Sequence, residues 1–153
     1  MVKKLKQLYR FFLDRVNRIK YIIFLNKASN DQSENLLVLD STNSEIDLVT
    51  IAFNNPLMIE YQIQLLRKNI TDKFTHIIAD NSTDDSIRKV ISKLCKSYQV
   101  GYVSIPVNNY FRNKSHGAAM HWVYKNVVKK RNTLYFGFLD HDIFPTEPYS
   151  ILS

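Results

Sequence analysis

Between Ile46 and Leu139 short apolar, β-rich runs alternate with helical stripes, and this alternation narrows the possible folds more than any other feature. The runs are Ile46–Phe53 (IDLVTIAF), Phe74–Ala79 (FTHIIA), Gly101–Ile105 and Leu134–Leu139 (LYFGFL). Near-continuous apolar runs suit strands buried on both faces. After the first, Asn55-Pro56 reads as an N-cap followed by proline at the first helical position, with Met58, Tyr61, Leu65 and Leu66 as the buried side. After the second, Ser82 and Asp85 have capping-box spacing, and Ile87, Val90, Ile91, Leu94, Cys95 and Tyr98 form a helical stripe. After the third, Ser115 is the expected cap of a helix that turns Ala119, Trp122, Val123 and Val127 inward. Strands alternating with helices imply a parallel sheet covered on both faces, and such sheets bind ligands at the carboxyl ends of their strands. Function is therefore expected just after Phe53, Ala79, Ile105 and Leu139.

Composition removes several alternatives. A chain of 153 residues, 45% hydrophobic and 23% charged, suits one domain with a core. Three glycines, Gly101, Gly117 and Gly137, are too few and too scattered for a glycine-rich phosphate loop. The single Cys95 excludes an internal disulfide and any multi-cysteine metal site. Its place in the helical stripe makes it a core residue and not a nucleophile. No apolar run is long enough to cross a membrane.

The formal charge of +7 is concentrated in residues 1–27, where eight basic residues face only Asp14. The remaining thirteen basic and thirteen acidic residues cancel. A folded part without net basic charge argues against nucleic acid as a partner. Residues 1–27 read as a basic amphipathic helix, with Leu5, Leu8, Tyr9, Phe12, Val16 and Ile19 at helical spacing and an apolar end at Tyr21–Leu25. Such a helix either lies on an anionic membrane surface or packs on protein, and both readings stand. A secretory signal is disfavoured by Asp14, Arg15, Arg18 and Lys20 within its would-be apolar part. Residues 28–45 form a polar linker with one apolar island at Leu36–Leu39. Residues 46–153 form the α/β domain.

Two of the strand ends carry carboxylates. Asp80-Asn81-Ser82-Thr83-Asp84-Asp85 follows the second strand, and Asp140-His141-Asp142 follows the fourth. Carboxylates after a buried strand need compensation by water, donors or a cation. Asp140 and Asp142 suit a hard divalent cation shared with a phosphorylated ligand; the competing reading is a solvated turn with capping aspartates. Asp80 likewise reads either as a site residue or as a turn residue. Ser115-His116-Gly117 opens a helix whose N–H groups suit an anion, or is simply a capped helix start. His116 and His121 are five residues apart, on different helix faces, and His76 reads as a packed, satisfied strand histidine.

The order IDLVTIAFNN, HIIADNSTDDS, SHGAAMHWV, YFGFLDHDIFP resembles the amino-terminal half of family-2-type glycosyltransferases of the GT-A fold, over about residues 46–150. The resemblance implies a Rossmann-like, three-layer sandwich with a mostly parallel sheet that binds a nucleotide-diphosphate sugar. It gives the first-strand triplet to Ala52, Phe53 and Asn54, with Ala52 replacing a small hydroxyl residue or proline and Phe53 lining the base pocket. It gives Asp80 the base or ribose, and Asn81 stands where the family often has a second aspartate. Asp140 falls near the ribose and the metal. Asp142 ligates the divalent cation, manganese or magnesium, that bridges the diphosphate. Apart from the resemblance, His116 at its helix start reads either as a contact to the phosphates or the sugar or as an exposed histidine.

The implied activity is inverting transfer of a sugar to a glycan or lipid-linked acceptor, as in polysaccharide biosynthesis. No acidic residue follows Glu147, so the acceptor half and its general base are expected to be missing, and the catalytic residue is unknown. The chain is expected either to be completed by another chain or to be inactive alone. The rival readings are a non-catalytic scaffold attached through residues 1–27 and an aspartate-dependent phosphotransferase. The latter is disfavoured because Ile143-Phe144-Pro145 stands where Gly-Thr is usual. The expected location is cytoplasmic, peripheral on the inner face of a membrane.

Overall fold

The computed structural model describes residues 2–29, 44–107 and 112–153. Most of the linker read over 28–45, including Leu36–Leu39, lies outside the described residues. Four strands, β1 (Ile46–Ala52), β2 (Phe74–Asp80), β3 (Gly101–Ser104) and β4 (Tyr135–Asp140), form one sheet in the order β3-β2-β1-β4, with every pair parallel. The helices are α1 (Val2–Leu25), α2 (Pro56–Asn69), α3 (Asp85–Ser97) and α4 (Arg112–Asn126), with a 3₁₀ turn at Val128–Lys130. The expected strands are present, with ends shifted by a residue.

Alternation along the strands divides the core. Val49 and Ile51, Ile77 and Ala79, and Val103 and Ile105 face α4, where Ala118, Ala119, Trp122, Val123 and Val127 pack, as expected for that helix. The same layer takes in Phe24 and Leu25 from the end of α1. On the opposite face, Ala52, Ile78 and Tyr102 pack on Ile59 and Ile63 of α2 and on Ile91 and Cys95 of α3. Cys95 is fully buried and unpaired, and burial, with the charge of Asp80, raises its thiol pKa well above the ordinary value. Both faces of β1, β2 and β3 are thus covered, whereas the edge strand β4 is not buried as its apolar run predicts: Leu134, Tyr135 and Phe136 are exposed.

Local expectations at the helices need three corrections, besides Val90 of the α3 stripe, which is exposed while Arg88 is buried. The buried side of α2 is Ile59, Gln62, Ile63, Leu66 and Asn69, while Tyr61 is exposed. The apolar spacing hid this because the helix buries two amides to serve backbone at the other end of the chain. The N-cap of α3 is Asp84, which accepts from the Ser86 N–H at 2.7 Å, and not Ser82. The hydrogen bonds from Ser86 hold the Asp84 carboxyl below the usual range. The third concerns Ser115, which lies inside α4 because that helix starts at Arg112. Asn55 does cap α2, accepting from the Met58 N–H at 3.3 Å, with Pro56 at the first position.

At the amino ends of the strands, Asp47 is fully buried and held by Arg131 Nε at 2.6 Å and Thr133 Oγ1 at 2.8 Å. Among the described residues no helix is long and apolar enough to cross a membrane.

Candidate functional site

The chain leaves β1 for β2 and β3 on one side, then returns through α4 to β4 on the other side of β1. The strand order therefore reverses between β1 and β4, and open α/β sheets place their ligand crevices at such points. The register brings the exits level, with Ala52 opposite Asp80, Asp80 opposite Ser104, and Ile51 opposite Asp140.

The first two exits are clasped to each other. Asn54 has φ 50°, a left-handed conformation that asparagine tolerates better than most residues. There its backbone N–H donates to Ser82 Oγ at 2.8 Å, and its side-chain oxygen accepts from the Thr83 N–H at 3.1 Å. Its amide also donates to Thr83 Oγ1 at 3.3 Å. Phe53, beside this clasp, is 41% exposed, whereas Ala52 is buried.

Asp80 is fully buried, and both of its carboxylate oxygens have partners within the chain. One accepts from the Ser82 N–H at 2.8 Å, a local turn of the kind aspartate favours, and the other from the Tyr102 hydroxyl at 2.9 Å. Burial, and then the charge of Asp80, push the Tyr102 hydroxyl well above its ordinary pKa. Arg88, also buried, donates through Nε to Ser82 O at 2.7 Å and through Nη1 to Ile105 O and Ser104 Oγ. This guanidinium fastens the exits of β2 and β3 together.

The first turns of α4 face this cluster. Asn81 donates from its side chain to Ser115 Oγ at 3.2 Å, and its N–H extends the sheet to Ala52 O at 2.9 Å. One residue further on, His116 Nε2 lies 3.3 Å from Asp140 Oδ1, with the two side chains 43% and 59% exposed. Asn81, His116 and Asp140, picked from three separate segments, therefore lie along one edge. Asp142 is exposed two residues beyond Asp140.

Sequence reasoning missed the support of the Asp140–Ile143 turn. Gln62, fully buried in α2, donates to Asp140 O at 2.7 Å and to Ile143 O at 2.9 Å. Its side-chain oxygen accepts from Thr50 Oγ1 at 2.7 Å, and His76 Nε2 lies 2.9 Å from the same hydroxyl. The single threonine proton goes to Gln62, so His76 must donate from Nε2. Its Nδ1 is then a bare acceptor, buried without a partner. His76 is thus satisfied at only one nitrogen, which corrects the sequence expectation. Burial, then the charge of Arg67, lowers its pKa to about 3, so it is neutral at physiological pH. Only Thr50, a polar residue within the apolar run IDLVTIAF, signalled this relay in the sequence.

Chemically, the edge presents two exposed carboxylates and one imidazole, with the Asn81 amide buried and bonded to Ser115. Among the described residues no three His, Cys, Asp or Glu side chains gather as a self-sufficient metal cage. Exposed carboxylate oxygens are nevertheless the donors preferred by hard divalent cations, which complete their shell with water and ligand phosphates. Asp140 and Asp142 are the two exposed carboxylates at this edge. No protein-family model matches this chain, and no curated protein is similar enough to count as a match.

Proposed function

We propose that this chain carries the donor-binding part of an inverting glycosyltransferase of the GT-A type, taking a nucleotide-diphosphate sugar at the β1–β4 switch point. The observation that carries this reading is the contact of His116 with Asp140. It draws the start of α4 and the end of β4 to one exposed edge at the place where a parallel sheet binds its ligand. Phe53 offers an exposed ring for the base. Asp80, enclosed by Ser82 and Tyr102, serves by shaping the turn that carries Asn81. His116 and Asn81 face the phosphates and sugar, and Asp140 and Asp142 hold manganese or magnesium. That ion, when bound, neutralises the diphosphate leaving group. The acceptor is a glycan or a lipid-linked sugar, and α1 attaches the chain peripherally to the cytoplasmic face of a membrane.

Calorimetric titration of uridine, guanosine and thymidine diphosphates, with and without manganese, tests the reading. One diphosphate is expected to bind in a manganese-dependent manner. The Asp142→Ala variant is expected to lose at least about tenfold in affinity, the loss of one charge-assisted ligand contact, while keeping the fold. Equal affinities for variant and parent would overturn the metal assignment. No binding by a folded chain would favour a scaffold.

A further inference from the structure

The apolar stripe of α1 faces away from the domain. At 3.6 residues per turn, Tyr9, Phe12, Val16, Ile19 and Ile23 share one face, while Tyr21, Phe24 and Leu25 lie about 150° around the helix. It is the second set that docks. Phe24 and Leu25 are buried in the α4 layer, and the Tyr21 hydroxyl lies 2.7 Å from His121 Nδ1. Trp122 Nε1 donates to Lys27 O, Asn126 to Leu25 O, and Lys125 to Asn26 Oδ1. The end of α1 is thus fixed to α4 by a face other than the stripe. The stripe is left in solvent, with Tyr9 67%, Phe12 70%, Ile19 58% and Ile23 56% exposed.

From this geometry we infer that the Tyr9–Phe12–Ile19–Ile23 face is a docking surface for anionic lipid. The inference rests on the attachment reading above and assigns its face and its chemistry. Arg15 and Lys20 border the stripe, and Asp14 is the single acid in the helix. Two copies meeting along this face would set like charges against each other. A partner helix would cover a narrow seam only, yet Phe11 and Leu13 outside the seam are also 57% and 42% exposed. A planar lipid surface takes in the broader apolar arc while its headgroups meet the flanking cations.

The test is co-sedimentation of the full chain with vesicles of phosphatidylcholine alone or with about 30 mol% phosphatidylserine. Binding is expected only with the anionic vesicles, and to weaken as salt rises. Phe12→Ser with Ile19→Ser is expected to cut partitioning by at least about tenfold, since each side chain loses its apolar burial. A Phe12→Trp variant is expected to be quenched by brominated anionic lipid, whereas Trp122, buried in the native chain, is not. No binding by the native chain overturns both attachment and face. Native binding that the double substitution leaves unchanged overturns the face alone. A dimer in sedimentation equilibrium that the double substitution dissociates assigns the stripe to a second copy and overturns the lipid reading.

Discussion

Gln62 joins three elements through one amide. Its oxygen is held by Thr50 of β1, so its nitrogen is aimed at the two carbonyls that frame the Asp140–Ile143 turn. Leucine at this position keeps the volume but leaves Thr50 and both carbonyls short of a partner. Each buried polar group left unmade costs about 1–3 kcal/mol. We expect Gln62→Leu to destabilise the chain by about 2–4 kcal/mol in urea unfolding, with faster amide exchange around Ile143 than around Ile59. Equal exchange at both places would show that the turn does not depend on this amide. The sequence shows Gln62 only as a polar residue in a helix, because its role depends on a turn 78 residues away. Asp140 and Asp142 were legible because a carboxylate pair stands out after an apolar strand. The tie of Asp140 to His116 was not, since spacing cannot report which loop a helix start approaches.

Among the elements, β1 carries the most information. It pairs with both β2 and β4, and its mostly apolar run announced a central strand. One residue in that run breaks the pattern. Asp47 is buried beside Arg131, and the pair ties the start of β1 to the segment leading into β4. Removing one partner of a buried pair is expensive because the other charge stays behind. Arg131→Ala is expected to cost about 3–5 kcal/mol, and Arg131→Ala with Asp47→Asn markedly less, both read by chemical unfolding. A double variant as unstable as the single would show that packing of the arginine stem, not charge, is what matters. Helix caps were less legible than strands. Asn55 was visible through its proline, but the capping-box spacing of Ser82 and Asp85 pointed to the wrong cap. The choice of Asp84 follows from Ser82 being engaged by Asn54 and Arg88.

For the molecule as a whole, the buried His76 sets a limit on acid stability. Its folded pKa, about 3, lies below the ordinary value near 6.5, so between these values the unfolded chain binds more protons. Stability is therefore complete above about pH 6.5 and falls as pH drops toward 3, by up to about 1.4 kcal/mol per pH unit. The parent is expected to lose stability between pH 6.5 and 4 more steeply than His76→Gln, in unfolding curves taken at each pH. Parallel slopes would mean that other groups govern the acid limb. The α/β architecture was readable from alternation alone, since burial on both faces forces the apolar runs of β1, β2 and β3. The outward turn of the α1 stripe was not, because amphipathic spacing tells which residues share a face and not which way it points.

The clasp of Asn54 on Ser82 and Thr83 has a kinetic consequence. Its backbone and side-chain bonds hold the β1 and β2 exits in place before any ligand arrives, so little ordering remains to be done on encounter. Association at this edge should then be a single bimolecular phase, linear in ligand concentration and without the plateau of a slow rearrangement. Differences in affinity among ligands would be expressed in how long each one stays.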